Sequence, residues 1–179
     1  MAEQAVRNPV SYPATEWMRV LPAASRFIFR GPPAAQAAAG SAFGVALPTV
    51  ACRAAAAGSR AALWLGPDEW LLLAGSDEGL AVAAALSRAL GDQAHSLVDV
   101  SHRQVALELH GPHAEWLLAS QCPLPLDLES FPVGMCTRTV FAKVEIVLWR
   151  TSSDTFRVEV WRSFSRYTVE LLTEVAKEK

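Results

Sequence analysis

The sequence predicts an α+β domain with largely antiparallel sheets, built as two halves related by a pseudo-two-fold. Three observations predict it. A strand-to-helix junction recurs: Arg26-Phe27-Ile28-Phe29-Arg30-Gly31-Pro32 runs into an Ala-rich stretch, and Val105-Ala106-Leu107-Glu108-Leu109-His110-Gly111-Pro112 runs into His113–Ser120. A hairpin with a following helix also recurs, first over Leu63–Ala74 and again over Ile146–Trp161. The registers agree, since the two Gly-Pro pairs lie 80 residues apart, while Trp70 and Phe156, like Leu86 and Leu172, lie 86 apart. Strands of period 2 interleaved with covering helices belong to the α+β class.

At 179 residues the chain is one domain or two tightly joined half-domains. Residues 1–20 are polar, interrupted by Pro9 and Pro13, and hold no sustained period. They are expected to be an arm, disordered or laid on a partner, with Trp17 and Met18 favouring docking. Residues 21–179 form the single α+β domain, with halves at about 21–95 and 96–179.

The elements follow in order. Arg26–Arg30 is a strand with Phe27 and Phe29 on one face, stopped by Gly31-Pro32-Pro33. Proline suits a first helical turn, so a short helix is expected over Ala34–Ala39, ending at Gly40. Val45–Leu47 and Val50–Arg53 are weak strands around Pro48. Ala62–Leu65 and Trp70–Ala74 form a hairpin through Gly66-Pro67-Asp68-Glu69, where proline presets φ and aspartate bonds local backbone. Asp77 caps a helix through Leu90, striped by Leu80, Ala83, Leu86 and Leu90, and Gly91 ends it. Ser96–Ser101 opens the second half, followed by Val105, Leu107 and Leu109 in alternation. After the helix over His113–Ser120 comes a Pro-rich loop at 121–136. Strands follow over Thr137–Lys143 and Val144–Arg150, then a turn at Thr151–Asp154. Phe156, Val158 and Val160 alternate on the return strand. Ser163 caps a last helix striped by Phe164, Tyr167, Leu171, Leu172 and Val175.

Composition narrows the function. A net charge of −2 without a basic stripe argues against a nucleic-acid surface. The apolar runs are too short to span a bilayer. Three scattered cysteines with no CxxC, and no apolar leader at the N-terminus, fit a reducing cytoplasm and no structural zinc site. Six tryptophans exceed what a core of this size needs, and large aromatics collect at subunit contacts.

Candidate chemistry is thin. Asp99, Ser101 and His102 lie along one strand, where adjacent residues face opposite ways, and no Gly-x-Ser-x-Gly elbow exists, so a turn cluster is expected. His110 and His113 lack a third metal ligand. Asp68 and Glu69 sit at a solvated tip. No GxGxxG follows a strand, and Cys52, Cys122 and Cys136 lack an evident activating partner. The expected catalytic, cofactor-binding and metal sets are therefore empty. Trp17, Trp70, Arg162 and Arg166 remain as interface candidates, the two arginines suiting a salt bridge to a partner subunit.

Five segments carry a family likeness. They are Leu63-Trp64-Leu65-Gly66-Pro67-Asp68-Glu69-Trp70-Leu71-Leu72-Leu73, then Val98–Arg103, Cys122-Pro123-Leu124, Phe131-Pro132-x-Gly134-x-Cys136-x-x-Thr139, and Phe156-Arg157-Val158-x-Val160-x-Arg162-Ser163-Phe164. The chain resembles the gamma subunits of heterotetrameric sarcosine oxidases from about residue 45 to its end. It departs from the family's Gly-Cys-Pro-Leu-Asp-Leu at 121–128, with Gln121 for Gly and Pro125-Leu126 inserted before Asp127.

The resemblance implies a fold similar to the folate-binding aminomethyltransferase domain, itself pseudo-symmetric. It implies alpha, beta and delta partner subunits, with NAD on alpha, FAD and FMN on beta, and zinc on delta. Such a complex oxidises sarcosine to glycine, yielding hydrogen peroxide and either formaldehyde or methylene-tetrahydrofolate. The gamma chain is expected to serve assembly and stability without a cofactor of its own. The alternative is a stand-alone folate-binding one-carbon protein related to the aminomethyltransferases. Those are about twice as long, and the related iron–sulfur maturation factors carry a Lys-Gly-Cys-x-x-Gly-Gln-Glu motif that this sequence lacks.

Overall fold

Where apolar side chains alternate, the chain forms strands; where they recur each helical turn, it forms helices. The computed structural model describes residues 10–178, so the arm expected over 1–20 falls outside the described residues at 1–9. The strands are β1 (Met18–Val20), β2 (Ala24–Arg30), β3 (Ala54–Ala57), β4 (Arg60–Gly66), β5 (Glu69–Gly75), β6 (Ser96–Asp99), β7 (Gln104–His110), β8 (Cys136–Phe141), β9 (Val144–Ser152) and β10 (Thr155–Trp161). The helices are α1 (Pro33–Phe43), α2 (Gly79–Leu90), α3 (Ala114–Ala119) and α4 (Ser165–Ala176), with a 3₁₀ turn over Arg162–Phe164.

The strands make two five-stranded antiparallel sheets, β3-β4-β5-β2-β6 and β8-β9-β10-β7-β1. Position for position, β2, β5, β4 and β3 answer to β7, β10, β9 and β8. The edges are exchanged between halves. β1 precedes β2 in the chain but pairs with β7, Met18 opposite Leu109. β6 precedes β7 but pairs with β2, Val98 opposite Ile28.

Each sheet buries one face under its own helices. Phe27, Phe29, Trp70, Leu72 and Ala74 pack with Ala35, Ala39 and Phe43 of α1 and Val82, Leu86 and Leu90 of α2. Leu107, Leu109, Ile146, Leu148, Phe156, Val158 and Val160 pack with Leu117 and Leu118 of α3 and Val169, Leu172 and Val175 of α4. The inner faces meet through a thin core of Ala61, Leu63, Leu71, Leu73, Cys136 and Val147. Charges close that seam. Arg26 of β2 reaches Glu159 of β10 at 2.7 Å with both side chains buried, and Arg138 of β8 reaches Glu69 of β5 at 2.6 Å nearer the surface.

Several expectations are corrected. Residues 18–20, read as part of the arm, form an edge strand of the chain's own sheet. Val45–Leu47 and Val50–Arg53 are not strands; Val45 and Leu47 instead plug the core beside α1, and the strand falls at Ala54–Ala57. α1 runs on past Gly40 to Phe43 and stops at Gly44, whose φ of 79° suits a left-handed C-cap. Gly40 serves contact: a Cβ there would meet the Leu47 backbone nitrogen at 3.2 Å. Asp77 does not cap α2; Glu78 does the local work, its carboxylate accepting from Gly75 N at 2.9 Å and from Arg60 at 2.6 Å. Hydrogen bonds from Arg60, the Gly75 N–H and Ser59 hold Glu78 down at about 2. Leu80 is 88% exposed, and Val82 takes its place in the buried stripe. Nor does Ser163 cap α4; it lies in the 3₁₀ turn.

Candidate docking surface at the β10–α4 corner

Return-strand alternation sends Phe156, Val158 and Val160 into the core under α4, so Arg157, Glu159 and Trp161 point to the opposite face. Trp161, last in the strand, is 38% exposed. The chain then tightens into the 3₁₀ turn, pinned where Arg162 N donates to Arg103 O at 2.8 Å. α4 buries Ser165, Thr168, Val169, Leu172 and Val175. That phase leaves Phe164 47% and Tyr167 41% exposed, where the sequence stripe had placed both in the core. Trp161 and Phe164 share one hollow at this corner, and Tyr167 is exposed three residues further along the chain.

Polar groups frame it. The Arg103 guanidinium lies 5.0 Å from the Trp161 ring centroid, a cation–π contact. Two hollows flank the ring. One, of about 470 Å³, is lined by Asp99, Val100, His102, Arg103, Arg162 and Ser163. The other, of about 260 Å³, is lined by Lys143, Glu145 and Phe164. Arg166 is the second residue of α4 and pairs with Glu170, one turn on, at 2.7 Å. An apolar centre in a mixed-charge rim has the anatomy of a protein contact.

The other sequence candidates scatter. Trp17 is half-buried against the core under α3 and α4, and its carbonyl accepts from His110 N at 2.9 Å. Trp70 is 1% exposed, so its indole is core rather than surface; Nε1 donates to Pro48 O at 2.8 Å and the ring sits 5.8 Å from Phe29. Trp70→Phe strands the Pro48 carbonyl and leaves a void where the rest of the indole packed, so we expect a loss of at least about 1–2 kcal/mol in denaturant unfolding; no loss would show both the bond and that packing to be idle. Asp99 accepts from Ser101 N at 2.8 Å and from Ser101 Oγ at 2.6 Å, while Ser101 Oγ accepts from Arg26 N at 2.9 Å. That cluster ties β6 to β2 and leaves His102 exposed outside it. At the hairpin tip Asp68 pairs with Arg30 and Glu69 with Arg138. Among the described residues, no three His, Cys, Asp or Glu side chains gather as a metal site, and no helix is long and apolar enough to cross a membrane.

Sequence reasoning missed Trp161 and Arg103 as a pair, and the buried charges Arg26, Glu159 and Arg150. A charged residue inside an alternating apolar strand was the available signal for Arg26 and Glu159. Trp161 was findable as the polar-face residue of its own strand.

Known proteins are similar. A family model described as the sarcosine oxidase, gamma subunit family matches residues 30–178. Sarcosine oxidase subunit gamma of Corynebacterium sp. (strain P-1) is 37% identical over 143 residues, covering 79% of this chain and 70% of that one. The Arthrobacter sp. subunit is 37% identical over 146 residues, covering 81% and 71%. Among solved structures, a chain of heterotetrameric sarcosine oxidase from Corynebacterium sp. U-96, in complex with pyrrole 2-carboxylate, superposes with a TM-score of 0.84 at 33% identity, covering 90% of this chain and 83% of that chain. The glycine cleavage system aminomethyltransferase T from Bartonella henselae gives 0.67 at 16% identity, covering 87% and 44%, a likeness of fold alone.

Proposed function

The chain belongs to the sarcosine oxidase gamma subunit family, and from that premise we propose that it is the gamma subunit of a heterotetrameric sarcosine oxidase. The complex oxidises sarcosine to glycine, with formaldehyde or methylene-tetrahydrofolate and hydrogen peroxide as the other products. The observation that carries this reading is the likeness over most of its length to a chain of such a heterotetramer. The flavins, NAD, zinc and folate reside on the alpha, beta and delta partners, in the cytoplasm. This chain's part is to hold the assembly: a subunit that binds only the assembled form stabilises it by mass action.

The aromatic corner is the proposed contact. Trp161, Phe164 and Tyr167 supply apolar area, and Arg162 and Arg166 supply charge for a partner's carboxylates, as the sequence candidates at 162 and 166 require. Trp17 sits elsewhere and joins this reading only as a second, peripheral contact.

The test is co-expression with the three partner subunits. Trp161→Ser with Phe164→Ser is expected to weaken gamma retention on gel filtration by at least about 30-fold, the value of one good hot spot. The thermal midpoint of the gamma chain alone should fall by only a few degrees, the cost of the Arg103 contact and of the part of each side chain that is covered, with the chain still folded. Full retention in a correctly folded variant sinks the corner as the contact. Flavin-containing partners failing to co-purify with the wild-type chain would sink the reading itself.

A further inference from the structure

Two cysteines stand at opposed backbone positions across the seam between the sheets. Arg53 and Met135 form an isolated antiparallel bridge linking the segment before β3 to the segment before β8. In that register Cys52 lies opposite Cys136: Cys136 N donates to Cys52 O at 3.0 Å, and Ala54 N donates to Gly134 O at 2.9 Å. A regular antiparallel ladder holds the Cα atoms of such a hydrogen-bonded pair about 5.5 Å apart, inside the roughly 4.4–6.8 Å that a disulfide spans.

Their surroundings differ. Cys52 is half-buried, with a left-handed φ of 57° that non-glycine residues rarely hold. Cys136 is fully buried, its Sγ 3.6 Å from the Trp64 carbonyl. Burial pushes its thiol up to about 12, and the neighbouring Cys52 adds to the rise. Cys52 keeps part of its surface in solvent, and Cys136 keeps none.

We propose that Cys52 and Cys136 form a reversible disulfide, made by hydrogen peroxide, that clamps the two sheets together. The choice of oxidant rests on the functional reading above; the pairing of the thiols does not. The Cys52 thiolate attacks one peroxide oxygen, so an S–O bond forms, the O–O bond breaks, and hydroxide leaves to take up a proton as water. The Cys136 sulfur then attacks the sulfenic sulfur. An S–S bond forms, the S–O bond breaks, and the departing hydroxide carries off the Cys136 proton as a second water. Two thiols and one peroxide give one disulfide and two waters. The high pKa of Cys136 slows the second step, and proximity offsets it. The result is a bond that accumulates over minutes rather than a turnover cycle.

The experiment is non-reducing peptide mapping of the full chain and of the assembled complex, each treated with hydrogen peroxide and, separately, with diamide. The expected result is a Cys52–Cys136 linked peptide in both treatments, with Cys122 still a free thiol. The linkage should disappear in Cys52→Ser. It should also raise the thermal midpoint of the wild-type chain by about 5–10 °C over its reduced form, since it closes a loop of about 85 residues. Linkage through Cys122, or no linkage with either oxidant, overturns the pair. Linkage with diamide alone, with Cys52 driven to sulfinic acid by peroxide, overturns the peroxide step. The family reading is judged separately by co-purification, so the two failures are distinguishable.

Discussion

Glu159→Ala lowers the thermal midpoint of the purified chain by about 10 °C or more, a loss of about 3–5 kcal/mol. Glu159 is fully buried in β10 and accepts from two guanidinium groups. Arg26 Nε lies 2.7 Å from one carboxylate oxygen, and Arg157 Nε lies 2.8 Å from the other. Removing the carboxylate leaves a buried cation at Arg26, whose remaining acceptors are the Ala24 carbonyl at 3.0 Å and the Ser101 carbonyl at 3.5 Å. That uncompensated charge is the cost, more than the loss of the pair's attraction. The control is therefore Arg26→Met with Arg157→Leu and Glu159→Leu, which takes all three charges out of the seam. It should fall within about 1–2 kcal/mol of wild type, because apolar replacement of a buried ion set is often neutral. A single-variant loss below about 1 kcal/mol would mean that water reaches the seam and the charges are not desolvated.

The pH dependence has a definite sign. Burial raises the Glu159 carboxyl, but Arg157 and Arg26 outweigh it and hold it below its usual value of 4.5. A depressed carboxylate contributes stability that is complete above about pH 4.5 and is lost as the pH falls through the folded value. Glu78, held at about 2, acts in the same direction over the same acid range. The wild-type chain should lose stability progressively below pH 4.5, and Glu159→Gln should show a shallower fall over that range. Equal slopes for the two proteins would assign the acid sensitivity elsewhere.

What the sequence made legible is what local chemistry decides. Val105, Leu107 and Leu109 announce β7, and Phe156, Val158 and Val160 announce β10, because period-2 alternation needs no knowledge of the partner strand. The Gly-Pro junctions mark where β2 and β7 end, since neither residue extends a strand interior. What stayed hidden is non-local. Nothing within Met18–Val20 says that it pairs with Leu109 rather than with its chain neighbour β2. β3 is four alanines, a composition with no strand preference, and is a strand only because β4 lies alongside it. Leu80 and Phe164 misled the helix stripes for one reason: both sit at or before the first turn, where the phase of the buried face is set by the preceding chain.

The seam charges sit where the pseudo-symmetry fails. Arg26 is cross-strand partner to Leu73, and Ala106 is partner to Glu159. Under the relation of the halves Arg26 answers to Ala106 and Leu73 to Glu159. The chain thus carries one charged crossing and one apolar crossing where a symmetric molecule would carry two alike. A single ion pair at such a point admits one way of docking the two sheets, since the swapped arrangement would bury a charge against alanine or leucine. The aromatic corner shows the same asymmetry, because Trp161 ends β10 while its counterpart in β5, Gly75, has no side chain to offer a partner.

Arg150→Ala should cost about 3–4 kcal/mol and unlace the loop before β8. The guanidinium is fully buried at the end of β9. One nitrogen donates to the Leu126 and Phe131 carbonyls at 3.0 and 2.8 Å, another donates to the Glu115 carboxylate at 2.8 Å, and the group stacks 4.5 Å from the Phe156 ring centroid. Glu115 is half exposed, so water can replace that partner cheaply. The two carbonyls are different: they are backbone acceptors held against a core that contains Leu126 and Phe131, and the arginine is their donor. Alanine strands both and leaves a void beside Phe156. Hydrogen exchange should therefore rise selectively over residues 121–135, including the Asp127-capped turn at Glu129 and Ser130, with β9 and β10 still protected. Arg150→Lys, which reaches one acceptor at most, should fall between the two. Unchanged loop protection in a variant that has lost stability would show that Arg150 acts through its stacking on Phe156 alone.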